Sequence, residues 1–261
     1  MRQAPSMLRR AAALVIGNEI LTGKVAEANV ELLARTLFEI GIRLDRVVIC
    51  RDDERVIADE VTTLRASHDY LFTSGGVGPT HDDVTVPAVA RSFGVRLRRD
   101  PELVRRIRDH FGERTTEGHL RMADVPEGGE LLANARVHWP ILQVANVFVM
   151  PGVPEIFARK LEVVRERIGA GAPFLSAALY TRCDEGEIAE LLERLEREHQ
   201  VLVGSYPRFD ASDHALKITF DGTERQAIEA ALTACLEALP QHLVVRVVRP
   251  WLARPDDFKA G

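Results

Sequence analysis

A short, wholly apolar run that stops at a glycine and gives way to helical periodicity is the feature that most restricts how this chain can fold. Ala11-Ala-Ala-Leu-Val-Ile16 is such a run, ended by Gly17, and Ala28 to Ile40 follows with apolar residues at helical spacing as far as Gly41. A segment apolar at every position has no polar face to give to water, so it predicts a strand covered on both sides; glycine after the helix supplies the positive φ of a C-terminal cap. The pattern then repeats. Val47–Cys50 reads as a strand, Asp52 and Asp53 can cap a helix to about Ala66, and Tyr70–Thr73 reads as a third strand. A helix from about Val84 to Phe93 closed by Gly94, another begun by Asp100-Pro101, the strand Asn146–Met150 and a helix from Glu155 to about Ile168 continue it. Strands alternating with helices predict an α/β fold with a mostly parallel sheet covered on both faces.

Gly169-Ala-Gly-Ala-Pro173 breaks this rhythm and reads as a linker. Beyond it the pattern is strand (Leu175–Thr181), helix (Gly186–His199, capped by Asp184), strand (Val201–Tyr206), strand (Leu216–Phe220), helix (Glu224–Leu239) and strand (Leu243–Val248). That order predicts a second, smaller α+β domain of βαββαβ type, with KH-like element order. The expected division is a tail over 1–10, a large domain over 11–170, a small domain over 171–250 and a tail over 251–261.

With 46% hydrophobic and 28% charged residues, the chain has material for two ordinary cores and no sign of large-scale disorder. Its 34 basic and 39 acidic side chains leave a formal charge of -5, which offers no broad footprint for nucleic acid or an anionic membrane. Arg208 and Lys217 are too scattered to argue for RNA binding by the small domain. The apolar run after the basic N-terminus is too short for a signal or a span, since a bilayer needs roughly 20 apolar residues. Cys50, Cys183 and Cys235 are far apart and odd in number, so neither a disulfide framework nor a zinc knuckle is expected, and a reducing cytoplasm fits best.

The chemistry concentrates in Ser74-Gly75-Gly76-Val77-Gly78-Pro79-Thr80-His81-Asp82-Asp83-Val84-Thr85, between a buried strand and a helix. Glycines there let the backbone approach a ligand and aim successive N–H groups at one point, while the helix N-terminus adds partial positive charge. The position, at the carboxyl end of a central strand, is where open parallel sheets place ligands. A plain tight turn with an acidic cap remains the alternative for the glycines alone. A cap needs only one acidic or hydroxyl residue, however, whereas His81, Asp82, Asp83 and Thr85 crowd five positions. Hard oxygen ligands beside a phosphate seat suit a magnesium-like ion. Two further loops belong to the same sheet edge. In Gly17-Asn18-Glu19-Ile20-Leu21-Thr22-Gly23-Lys24, Glu19 is a metal ligand or base, or else a solvated acid; Lys24 is a phosphate contact, or else a solvated lysine. Met150-Pro151-Gly152-Val153-Pro154 puts another glycine turn before a helix. His110, His119, His138 and His199 lack ligand spacing and are expected to be surface or packing residues.

Gly17-Asn-Glu-Ile-Leu21, Ser74-Gly-Gly-Val-Gly-Pro-Thr-His-Asp-Asp-Val-Thr85 and Val149-Met-Pro-Gly-Val-Pro154 resemble the MoaB/Mog molybdopterin-binding fold, and more narrowly the CinA-type competence/damage-inducible subgroup. Gly204-Ser-Tyr-Pro207 with Phe209 is similar to that subgroup's small domain, so the resemblance covers residues 11–248. It implies a three-layer α/β/α sandwich and a small phosphate-bearing ligand, nucleotide or pterin. The implied ligand contacts are Asn18, Lys24, Ser74, Gly75, Gly76, Gly78, Thr80, Thr85 and Gly152. Glu19, Asp82 and Asp83 are the implied catalytic residues and ligands of a divalent metal (Mg, Mn or Co), with K a further candidate. The implied activity is pyrophosphatase action on ADP-ribose or FAD. The alternatives are adenylylation of molybdopterin and non-catalytic pterin or nucleotide binding. A homo-oligomer, dimer or trimer, is expected. Long CinA proteins carry an amidohydrolase domain that this sequence does not reach, so nicotinamide-nucleotide deamidation is not expected. Two departures stand out: Asn18 replaces an acid, and Val137-His138-Trp139-Pro140-Ile141 replaces a turn of small residues, so Trp139 predicts a narrowed or reshaped pocket.

Overall fold

The computed structural model describes residues 9–134, 137–169, 171–209 and 213–249, and the expected tails lie almost wholly outside them. The chain divides into two compact units, residues 1–171 and 172–261.

In chain order the first unit comprises β1 (Arg9–Ile16), α1 (Asn18–Leu21), α2 (Asn29–Glu39), β2 (Ile42–Cys50), α3 (Glu54–Ser67), β3 (Tyr70–Ser74), α4 (Thr85–Phe93) and β4 (Leu97–Arg99). It continues with α5 (Pro101–Phe111), α6 (Glu117–Arg121), β5 (Asp124–Pro126), β6 (Glu130–Leu132), β7 (Ile141–Val144), β8 (Val147–Val149) and α7 (Pro154–Ile168). The main sheet runs β2-β1-β3-β8-β7-β6, with β4 and β5 forming a separate ribbon. Pairs β1/β2, β1/β3 and β3/β8 are parallel, whereas β7 is antiparallel to both neighbours.

The apolar run in β1 divides by alternation. Ala12, Leu14 and Ile16 join a core with Ile57 and Val61 of α3, Ala88 and Val89 of α4, and Leu103 and Ile107 of α5. Ala11 and Ala13 face the other way, into a core with Leu33 and Leu37 of α2, Phe72 of β3, Phe148 of β8 and Phe157 of α7. Because side chains alternate between faces, a strand clothed on both sides must be apolar throughout, and the result is the three-layer α/β/α sandwich. On the second face, Phe72 and Phe148 stack with centroids 5.1 Å apart.

The structure departs from the sequence pattern in two places. The edge strand β2 starts at Ile42, not Val47, because Ile42, Arg43 and Leu44 already pair with Arg9, Arg10 and Ala11, and the ladder skips Asp45 and resumes at Arg46 against Ala12. The stretch between α5 and β8, to which the sequence pattern assigns no element, contains α6 and three short strands. Strands of three or four residues carry too few alternations to be recognised by period.

The second unit comprises β9 (Leu175–Thr181), α8 (Glu185–His199), β10 (Leu202–Pro207), β11 (Leu216–Gly222), α9 (Arg225–Ala238) and β12 (Val244–Val248), the βαββαβ order. Its antiparallel sheet runs β10-β11-β9-β12, and its apolar residues pack with Ile188 and Leu195 of α8 and Ile228 and Leu232 of α9. Asp184 caps α8 by accepting from the Gly186 amide at 2.9 Å. Among the described residues, no helix is long and apolar enough to cross a membrane.

Candidate functional site

Strand β3 ends in two glycines with positive φ, 107° at Gly75 and 64° at Gly76. A Cβ on Gly75 would overlap the Ile16 carbonyl oxygen, and one on Gly76 would overlap the Thr85 hydroxyl. Only glycine satisfies both conditions. Thr85, fully buried at the start of α4, locks the turn: its hydroxyl donates to the Gly75 carbonyl at 2.9 Å and its amide to the Gly76 carbonyl at 3.0 Å. The Gly75 amide donates to the Met150 carbonyl at 3.2 Å. Among the described residues, the next three amides, those of Gly76, Val77 and Gly78, donate to no protein acceptor.

Asn29, at the first turn of α2, joins this turn to the one at Gly152. Its side-chain nitrogen donates to the Ser74 hydroxyl and to the Gly152 carbonyl, each at 2.9 Å, while its Oδ1 is buried without a donor. Its role was not anticipated, since a polar residue opening a helix reads as an ordinary cap. Ser74 and Thr85, expected as ligand contacts, are buried, and both hydroxyls are engaged within the protein. They shape the turn and do not face its opening.

Beside the turn lies a cavity of about 860 Å³. Of the residues singled out in the sequence, Glu19, Gly75, Gly76, Gly78, Thr80, Asp83 and Gly152 line it, whereas Asn18, Lys24, Ser74, Asp82 and Thr85 do not. Lys24 is exposed. Its place near the turn is taken by Arg121 of α6, which lines the cavity and donates through Nη2 to the Pro79 carbonyl at 3.2 Å. No motif surrounds Arg121, so nothing in the sequence marked it. His110 and His138 also line the cavity, as exposed residues on its wall. His119 instead stacks on Phe111 and caps α6. Trp139 forms part of the wall, but the chamber remains large.

The two aspartates differ. Thr80 donates to Asp83 Oδ2 through its amide at 2.8 Å and through its hydroxyl, fixing that carboxylate at the cavity edge. Asp82 is exposed, and the nearby Thr80 hydroxyl, its own backbone amide and His81 hold its carboxyl below the usual range. At the Gly17–Glu19 loop, Asp52 accepts the Asn18 amide at 2.8 Å. Burial raises its carboxyl above the usual value, the Asn18 hydrogen bond opposes that shift, and the charges of Glu19 and Asp82 add to it. Of the two cap candidates Asp52 and Asp53, Asp53 alone caps α3, accepting from Arg55 and Val56 at 3.0 and 3.1 Å. Two adjacent acids where one cap suffices was the available signal. Among the described residues, no three acidic, histidine or cysteine side chains converge as a metal cage, so Glu19, Asp82 and Asp83 are near neighbours of one opening and not a preformed three-ligand site.

Residues 12–170 match the family described as "Probable molybdopterin binding domain", and residues 173–248 match "FAD synthase, middle domain". A "Probable FAD synthase" of Caenorhabditis briggsae is 28% identical over 279 residues, an alignment covering 96% of this chain and 53% of the relative. A "CinA-like protein" of Syntrophus aciditrophicus is 33% identical over 267 residues, covering 97% of this chain and 62% of the relative. The crystal structure of a CinA protein of unknown function from Thermoplasma acidophilum superposes with a TM-score of 0.57 at 29% identity, covering 61% of this chain and 99% of that one. The chain thus spans only about half to three-fifths of the length of these two curated relatives.

Proposed function

This chain belongs to the molybdopterin-binding-domain family in its CinA-like branch, and on that premise we propose that it is a metal-assisted pyrophosphatase acting on a nucleotide diphosphate such as ADP-ribose or FAD. The observation that carries the proposal is the run of unpartnered amides at Gly76, Val77 and Gly78, which opens on a chamber large enough for a nucleotide and is flanked by carboxylates. Amides aimed at a common point bind phosphate oxygens, and Arg121 adds a fixed charge beside them. The names borne by the relatives, FAD synthase among them, support a nucleotide-related ligand.

The donor set fits an ion that arrives with its substrate. Magnesium is commonly held by one or two carboxylates plus substrate phosphates and not by a closed protein cage. Asp83 and Glu19 face the cavity and Asp82 stands at its rim, so these residues would hold it. The bound ion would polarise the phosphoryl group and lower the pKa of water. The chain's own residues do the rest. Thr80 orients Asp83, the turn amides hold the diphosphate, and the mutual repulsion of Glu19, Asp52 and Asp82 favours cation entry. Purified protein should release AMP from ADP-ribose or FAD with magnesium, manganese or cobalt, and Asp83→Asn should abolish release. No AMP with any of these metals would overturn the assignment. Pyrophosphate released from ATP only when molybdopterin is supplied would establish the adenylyltransferase alternative, which the family's description favours.

A further inference from the structure

Away from the glycine turn, the cavity wall contains a cation whose charge no carboxylate among the described residues offsets. Lys160 of α7 is only 5% exposed, and among the described residues its ammonium has one partner, the Pro140 carbonyl at 2.9 Å, and no carboxylate. Arg106 of α5 donates to the His138 carbonyl at 2.7 Å, so cations from two helices grip the two ends of the His138–Pro140 segment. Both line the cavity, as do the His110 and His138 rings. Arg106 is paired with Glu102 at 3.0 Å; Lys160 is not paired.

A buried ammonium without a counter-charge is costly, and one backbone carbonyl satisfies one of its three donors without neutralising it. Were the task only to hold Pro140, a neutral donor would perform it at lower cost. What this wall lacks is an anion. The cavity is continuous with the phosphate seat, so the missing charge is best supplied by the ligand. We propose that Lys160 is a second anion-recognition point, so that among nucleotide diphosphates the site favours those bearing a further oxyanion, a phosphate monoester or a carboxylate, over ones such as ADP-ribose and FAD that carry only the diphosphate held by the glycine turn. The inference rests on reading that turn as a phosphate seat. Desolvation lowers the Lys160 pKa to about 8, which leaves it mostly charged at neutral pH and consistent with this role.

Two ligand pairs, each differing by one oxyanion, test the idea by calorimetry with calcium as the added cation: NAD⁺ against NADP⁺ for the phosphate, and UDP-glucose against UDP-glucuronate for the carboxylate. Wild-type protein should prefer the oxyanion-bearing member of at least one pair by about tenfold or more, the worth of a charge-assisted contact. Lys160→Met, which keeps length and removes charge, should erase the preference, leave affinity for the other member within about twofold, and not lower Tm. Lys160→Arg should retain part of the preference. A wild-type protein that binds both members of each pair equally, or a Lys160→Met variant that keeps the preference, overturns the inference while leaving the phosphate seat intact. If no nucleotide binds at all, the seat and the inference fall together.

Discussion

Asn29 tests whether the candidate site is a built structure or a coincidence of loops. Its side-chain nitrogen is the common donor to Ser74 and Gly152, and the orientation is fixed chemically, because the Gly152 carbonyl can only accept. Asn29→Ala removes two buried hydrogen bonds, each worth about 0.5–1.5 kcal/mol net, so the loss is about 1–3 kcal/mol. Removing Oδ1, which is itself buried without a donor, returns part of this and moves the expected value toward the lower half of that range. Asn29→Asp should be worse than alanine, since it buries a carboxylate against the Gly152 carbonyl, which can only accept, leaving the Ser74 hydroxyl as the one group able to turn and donate to it. Urea unfolding in a Trp251→Phe background, with Trp139 as the only remaining tryptophan, should report the loss with an unchanged m-value. Because the same bonds hold the Gly152 turn against Gly75, nucleotide affinity should fall in the same order. An aspartate variant as stable as wild type, or an alanine variant with unchanged stability and affinity, would refute the view that Asn29 unites the two turns.

Three further outcomes follow from individual contacts. Gly76→Ala combines positive φ with overlap on the Thr85 hydroxyl; it should cost about 1–3 kcal/mol in denaturant unfolding and weaken nucleotide binding, and Thr85→Val should not rescue it fully because the backbone strain remains. Arg121→Gln should weaken ADP-ribose binding by about tenfold while Lys24→Gln leaves it unchanged, read by calorimetry; the reverse order would return the phosphate contact to Lys24. Lys160 makes stability depend on pH. Its folded pKa, about 8, lies below the usual 10.5, so between these values the unfolded chain binds more protons. Ligand-free wild type should therefore gain stability as pH rises through that window, on the order of 3 kcal/mol at most, and Lys160→Met should not.

The fold was legible where one force acted alone. Ala11–Ile16 has no reading other than a doubly covered strand, and the helices ending at Gly41 and Gly94 carry their stop signals in the chain. Legibility fell where tertiary pairing decides. The hairpin of β6 and β7 depends on Leu131 and Leu142 meeting across the sheet, a partnership that neither short segment announces. The start of β2 at Ile42 likewise depends on β1 lying alongside polar residues that in isolation read as a loop.

The candidate site divides along the same line. A glycine run followed by crowded acids identifies an opening, because both the turn and the excess of carboxylates are local. Which side chain faces the opening is not local. Thr80 directs Asp83 inward and leaves Asp82 at the rim, although the two are adjacent and identical in type. Asp52 and Asp53 repeat the arrangement with the roles exchanged: the second caps α3, and the first, held by the Asn18 amide, turns toward the charges of Glu19 and Asp82. In each pair one acid accepts from the local backbone, Asp83 from Thr80 and Asp53 from Arg55 and Val56, and its neighbour is left without that duty. A helix cap or a tight turn needs one carboxylate, so at the start of α3 and at the Thr80–Asp83 turn a second acid is left over on one side of the anion seat. Like charges gathered next to a phosphate are unfavourable unless a cation is shared between them. Metal-dependent binding is therefore expected to precede metal-dependent cleavage.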